Sequence, residues 1–207
     1  ASFAAALKVI GFGDSITAGW PYITSDQNGS TVGGYEPALR TMLKNAGWDV
    51  SVLNYGHQGE LSFEGNNRIP SVLNTQRPDW VLVLEGTNDL FWVSTGSVMS
   101  NLVSMVNRVR AEGRNVVLAT LTPDTRGGKP ISQMNDMIRA WSSANEVPLA
   151  DLYAAVAPNW NSLYTTDKLH PNTAGYNVMA RTWFDTITTN SNSGIDIVPI
   201  IMLLLND

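Results

Sequence analysis

The sequence predicts an α/β protein, a flavodoxin-like three-layer sandwich in which a parallel sheet of about five strands carries helices on both faces. Short apolar runs recur along the chain, four of them rich in the continuous Val and Leu of strands covered on both sides. Segments with helical spacing fall between them, the alternation expected of a parallel sheet with crossover helices. The 207 residues are 43% hydrophobic and 15% charged, enough apolar material for one domain with a sizeable core.

The first run, Leu7 to Phe12, leads directly into Gly13-Asp14-Ser15-Ile16-Thr17. Ser15 is therefore expected just past the carboxyl end of a first strand, where open α/β sheets place their ligand crevices. Trp20 to Thr31 follows as a long loop. Tyr35, Ala38, Leu39, Met42, Leu43 and Ala46 then recur at helical spacing and fill one face of a first long helix. A second strand, Val50 to Asn54, runs into Tyr55-Gly56-His57-Gln58-Gly59, and Glu60 to Asn66 reads as a second long loop. The third strand, Trp80 to Leu84, is followed by Gly86-Thr87-Asn88-Asp89. Val116 to Leu121 and a short Val147 to Leu152 complete the sheet. Tyr176, Met179, Ala180, Trp183, Phe184 and Ile187 mark a last helix whose apolar face is core, not a cofactor box.

Charge and composition exclude several classes of function. Thirteen basic residues against 18 acidic give a net charge of −5, and the basic residues are scattered, so nucleic acid is not an expected partner. With no cysteine and two histidines, neither a disulfide framework nor the usual zinc site can be built. The alanine-rich start, Ala1 to Ala6, matches what remains after cleavage of an export signal at a small-residue site, which favours a secreted or periplasmic location. The domain is expected over residues 1–189, with 190–207 as polar linker and apolar terminal segment; the polar stretch itself begins near Thr188 and ends at Gly194. The run Ile195 to Leu205 is well short of the ~20 residues that span a bilayer, so no transmembrane segment is expected. It reads either as an arm covering an apolar patch or as a surface for self-association through residues 195–205.

Residue types and spacing then point to chemistry. A serine hydroxyl is a poor nucleophile until a neighbouring base takes its proton. Of His57 and His170, His170 is the better placed, because Asp167 lies three residues before it and one turn of chain can bring the carboxylate to Nδ1. Acyl transfer also needs donors for the oxygen that turns negative. The Ser15 and Gly59 N–H groups and the Asn88 carboxamide, each just past a strand, would make a three-donor oxyanion hole. His57 could line the pocket or serve a turn; Trp20, Phe91 and Trp92, next to these segments, could form a substrate wall or pack as core. Asp14 and Asp89 could hold magnesium, but Asx-type hydrogen bonding in their own turns is the favoured reading, and no metal is expected.

Taken together, Gly13-Asp14-Ser15-Ile16-Thr17, Asn54-x-Gly56-x-x-Gly59, Gly86-Thr87-Asn88-Asp89 and Asp167-x-x-His170-Pro171 resemble the signature blocks of the SGNH hydrolases, the GDSL esterase/lipase family, in the family's order. Ile16 stands where the family name implies Leu. The resemblance implies Ser15 as nucleophile, His170 as base then acid, Asp167 as its orienting partner, and Ser15, Gly59 and Asn88 as the oxyanion hole, with no metal or organic cofactor. It also accounts for the missing Gly-x-Ser-x-Gly elbow of ordinary α/β-hydrolases. The expected activity is hydrolysis of carboxylic esters, with short acyl groups, such as acetyl groups on carbohydrate, preferred over the lysophospholipase and thioesterase chemistries of the same family. A metal-dependent phosphohydrolase using Asp14 and Asp89, and a glycan-binding module without catalysis, are the alternatives from other classes.

Overall fold

The structure is a computed structural model that describes residues 6–191. Five strands, β1 (Leu7–Gly13), β2 (Val50–Gly56), β3 (Trp80–Leu84), β4 (Asn115–Ala119) and β5 (Leu149–Ala150), form one sheet in the order β2-β1-β3-β4-β5. Every pairing is parallel, which forces a crossover between consecutive strands. The helices are α1 (Ser15–Ala18), α2 (Glu36–Asn45), α3 (Ser62–Gln76), α4 (Thr95–Ala111), α5 (Ile131–Ala144), α6 (Leu152–Val156), α7 (Trp160–Leu163) and α8 (Thr173–Ser191). α2 and α8 pack on each other to make one outer layer, and α3, α4 and α5 make the other. Val9, Ile10, Phe12 and Val81 to Leu84 are almost wholly buried between them, as a sheet covered on both faces requires. The expected three-layer α/β architecture is therefore the one observed.

The strand order reverses between β1 and β3: the chain leaves β1 for β2 on one side and returns to pair β3 on the other. Ligand crevices form at such a switch point, outside the carboxyl ends of the strands. Gly13, the last residue of β1, lies opposite Gly56 of β2 and Leu84 of β3, so three strands end level around it. The single-turn α1 settles directly on these ends. A Cβ on Gly13 would come within 2.2 Å of the Leu84 carbonyl oxygen, and one on Gly56 within 2.1 Å of the Ala18 nitrogen. Asn54 completes the seat: its Nδ2 donates to the Thr17 carbonyl (2.8 Å) and its Oδ1 accepts from the Gly56 amide (2.8 Å).

Four boundaries differ from the sequence reading. Glu60 to Asn66 is not a loop, because α3 starts at Ser62, where Asp89 accepts from the Ser62 amide (2.8 Å) and hydroxyl (2.6 Å). The fourth strand stops at Ala119 rather than Leu121. The fifth is only Leu149–Ala150, since Asp151 caps α6 through the Ala154 amide and Leu152 is already helical. α8 continues to Ser191, into the stretch read as linker: Ile187 and Ser191 keep its inner face buried, while Thr186, Thr188 and Asn190 each donate to the carbonyl four residues back. The segment 195–205, with its expected self-association, and the first five residues lie outside the described residues. Among the described residues no helix is long and apolar enough to cross a membrane.

The seat of α1 can be tested by adding one methyl group. Gly56→Ala meets backbone rather than a flexible side chain, so we expect a loss of about 2 kcal/mol and a fall in Tm of roughly 4–8 °C. Gly96→Ala, in α4 with no atom nearer than 3.9 Å, should leave Tm unchanged or raise it slightly. Calorimetry of the two variants checks both.

Candidate active site

Ser15 is the first residue of α1, capped by Asp14, whose Oδ1 accepts from the Ile16 amide at 2.9 Å. Its hydroxyl lies 2.9 Å from His170 Nε2, and His170 Nδ1 lies 2.6 Å from Asp167 Oδ2. The residues expected to act together are thus joined in one hydrogen-bonded chain, although Ser15 and His170 are 155 positions apart. The bond to Asp167 places the proton on Nδ1 and leaves Nε2 as the acceptor for the serine hydroxyl.

A tight turn presents this pair. Lys168 has φ +63°, and Asp167 Oδ1 accepts from the Thr165 hydroxyl and from the Leu169 and His170 amides. Burial opposes ionisation of Asp167, but these bonds and the His170 ring outweigh it and hold the carboxyl far below its usual range. For His170 burial dominates and lowers its pKa despite the Asp167 charge, so the ring is neutral near pH 7. Trp20 contributes to that burial, with its ring centroid 5.8 Å from the imidazole. The Trp20 loop is tied to the start of α8: the Tyr176 hydroxyl donates to the Trp20 carbonyl (2.7 Å) and the Thr173 amide donates to the Tyr22 hydroxyl (3.1 Å).

The three expected oxyanion donors follow the carboxyl ends of β1, β2 and β3, and Asn88 reaches the neighbours of the other two. The first amides of a helix have no acceptor within it, which leaves the Ser15 N–H facing the crevice end of α1. Gly59 is exposed and adopts φ +71°. Asn88 Nδ2 donates to the carbonyl of Glu60, next to Gly59 (2.9 Å), and makes a longer contact with Oδ2 of Asp14, next to Ser15 (3.4 Å). One carboxamide proton is thereby fixed and the other is only weakly held.

Behind Asn88 lies an acidic cluster that sequence reasoning missed. Burial, reinforced by Glu60 and Asp89, pushes Asp14 up to about 7 against the pull of the Ile16 amide and of Lys129. Burial and the charges of Asp14 and Glu60 likewise push Glu85 well above the carboxylate range. Arg68 balances the cluster, donating to Glu60 from Nε (2.7 Å) and lying 4.1 Å over the Phe12 ring. Among the described residues no group of three or more His, Asp or Glu side chains is arranged to hold a metal ion. Both oxygens of Asp89 are taken by Ser62, not by its own turn.

The remaining expected contacts divide. His57 meets Asn28 Oδ1 through Nε2 (3.0 Å), donates its amide to the Gly13 carbonyl (2.8 Å), and lines a polar cleft of about 470 Å³ with Asp26, Gln58, Gly59, Glu64 and Arg68. It serves the turn and the cleft wall at once. Phe91 and Trp92, on a 3₁₀ turn after Asn88, are 49% and 86% exposed, so they are not core. A hollow of about 500 Å³, lined by Tyr153, Pro158 and Trp160 among others, meets the Asp167 turn through Thr125, whose amide donates to the Lys168 carbonyl.

Comparison with known proteins bears on this geometry. Residues 12–178 match the GDSL-like Lipase/Acylhydrolase family. The chain belongs to this family. It is 28% identical over 170 residues to esterase TesA of Pseudomonas aeruginosa, covering 81% of each chain. It is also 28% identical to an arylesterase of Vibrio mimicus, over 79% of this chain and 80% of the relative. The crystal structure of a lipase/acylhydrolase from Enterococcus faecalis superposes with a TM-score of 0.78 at 25% identity, over 88% of this chain and 96% of that one. As a GDSL-family protein, the chain is a carboxylic ester hydrolase, and the blocks that carry the resemblance all fall within the matched residues.

The burial of His170 has a measurable consequence for this GDSL hydrolase. With His170 as the expected base, protonation would remove it, so kcat/KM should fall as pH drops through a midpoint below the ordinary histidine value of about 6.5. Asp167 raises that midpoint, as does Asp124, while Arg126 lowers it. Trp20→Ala admits water to the ring, and its midpoint should move upward toward 6.5 with Asp167 unchanged. A pH–rate profile of the two proteins decides it.

Proposed function

We propose that this hydrolase cleaves carboxylic esters by two-step acyl transfer through Ser15, His170 and Asp167. The observation that carries the reading is the continuous chain of hydrogen bonds from the Ser15 hydroxyl through His170 to Asp167, at the switch point of the sheet. His170 Nε2 takes the serine proton as Oγ attacks the ester carbonyl. The carbonyl oxygen becomes negative and is met by the Ser15 and Gly59 amides and the Asn88 carboxamide. The imidazolium then gives its proton to the departing alcohol, and Asp167 stabilises the ring while it is charged. In the second half His170 activates water, which attacks the acyl-enzyme, and Ser15 recovers its proton as the acid leaves.

The preferred substrates are short-chain acyl esters, with acetyl groups on carbohydrate as the leading class. The cleft beside Gly59 supports a polar alcohol moiety, since its carboxylates, amides and His57 offer hydrogen bonds and no continuous apolar surface. Trp20, Phe91 and Trp92 supply aromatic faces on which a sugar ring or aryl group can stack. Longer acyl chains, as in lysophospholipase or thioesterase chemistry, are the runner-up.

One set of assays separates these readings. Wild type should hydrolyse p-nitrophenyl acetate and butyrate faster than octanoate and laurate, with no effect of chelator. Ser15→Ala should lose at least about 10³-fold in kcat, and Asp167→Asn a comparable factor, with folded far-ultraviolet spectra. Equal turnover by Ser15→Ala would remove it as nucleophile; a maximum at laurate would move the lipase-like chemistries forward. Retained glycan binding with no turnover of any ester would point to a binding module instead.

A further inference from the structure

The segment between β4 and α5 contains a lysine for which the acyl-transfer chemistry has given no use. Lys129 is almost wholly buried, its side chain 2% exposed, and its ammonium has three neighbours. Nζ donates to the Thr87 carbonyl at 2.6 Å, pairs with Asp124 Oδ2 at 3.2 Å, and sits 4.4 Å over the Phe91 ring. Asp124 is itself fully covered and is held by Arg126 through Nε (2.9 Å) and a terminal nitrogen (2.8 Å).

Each contact reaches a part of the site. Thr87 precedes Asn88, so the ammonium grips the peptide link that carries the oxyanion carboxamide. Phe91 ends the 3₁₀ turn that follows Asn88. On the other side, the Thr125 amide and hydroxyl both donate to the Lys168 carbonyl at 3.1 Å, inside the turn that presents Asp167 and His170. Residues 124–129 therefore join the Asn88 turn to the Asp167 turn, two loops that share no strand.

Burying an ammonium is costly, and a neutral side chain could fill the space at lower cost. Its charge has a use at this place. Asp14 and Glu60 lie behind Asn88, and the negative charge there opposes a second one forming in front of it. Arg68 neutralises the Glu60 side of that charge. Lys129 acts on the Asp14 side, where its charge favours the ionised carboxylate. Sequence spacing gives no hint of this, apart from the Gly127-Gly128 turn past the carboxyl end of a strand.

We propose that Lys129 is a positioning residue of the acyl-transfer site, holding the Asn88 carboxamide through the Thr87 carbonyl and balancing the acidic cluster behind it. The inference rests on Asn88 being an oxyanion donor, as in the proposed function. It predicts that the effect of Lys129 is transmitted through Asn88, which a double-mutant cycle on p-nitrophenyl acetate hydrolysis reads directly.

Lys129→Met should lower kcat about tenfold with KM within about twofold, because an interaction felt in the transition state is lost while ground-state binding is kept. Asn88→Ala should lower kcat by roughly 10²-fold or more. In the double variant Lys129→Met should add less than about twofold, since its target is gone. Equal losses in both backgrounds, or no loss in the first, would overturn the inference while leaving the oxyanion reading intact. An undiminished Asn88→Ala enzyme would remove the oxyanion reading and the inference with it. Should Lys129→Met fail to fold because Asp124 is left with Arg126 alone, the neutral pair Asp124→Asn with Lys129→Met takes its place in the same cycle, judged by the same outcomes.

Discussion

The close approach of α1 to the ends of β1, β2 and β3 is the constraint on which the rest of the site depends. Four residues of helix are too few to be stable by themselves, so α1 exists because it is packed and capped. Gly13 and Gly56 remove the side chains that would hold it off, Asn54 ties it to β2, and Asp14 supplies its first acceptor. Ser15 is thereby placed at a helix start, with its amide free and its hydroxyl facing the neighbouring turns. Every other chemical group arrives at this fixed point from a separate strand end, which is how a parallel sheet concentrates residues 155 positions apart within one hydrogen bond.

The second organising feature is electrostatic, and it cuts against the chemistry it serves. An oxyanion forms most readily where positive charge or N–H dipoles face it, yet Asp14, Glu60 and Glu85 crowd the rear of the Asn88 turn. Two devices moderate the conflict. Burial raises Asp14 to about 7 and pushes Glu85 well above the carboxylate range, so the cluster carries less charge than its formula suggests. Arg68 and Lys129 supply the remaining balance from opposite sides. Asp167 behaves in the opposite way: it is only half-buried and receives four hydrogen bonds, so it stays ionised and can steady an imidazolium. Carboxylates of one chemical type thus take different charge states according to burial and donors, as general principles of pKa displacement require.

Much of this was legible in the sequence because it depends on local patterns. Val9 to Phe12 and Trp80 to Leu84 are apolar and read as covered strands, and Asp167-x-x-His170 fits within one turn. The failures divide between a partner far away in the chain and short-range bonds that residue type alone does not announce. Gly65 and Asn66 are weak helix formers, yet α3 begins at Ser62 because Asp89, 27 residues later, accepts from its amide and hydroxyl. Leu152 looked like strand because it continues an apolar run, whereas Asp151 turns the chain into α6. Thr188 and Asn190 looked like linker because their polarity was visible and their bonds to the preceding helical turn were not. Phe91 and Trp92 were left open between wall and core, and only their exposure resolves that choice.

Lys129 is the extreme case of what sequence conceals. Its neighbours in the chain are two glycines and a proline, which announce a turn but not its destination. The destination is set by where β4 ends relative to β3: these strands are adjacent and parallel, so a loop leaving one passes the turn that leaves the other. From that loop the Lys129 ammonium reaches the Thr87 carbonyl. The same topology that fixes Ser15 thus brings the loop after β4 against the Asn88 turn.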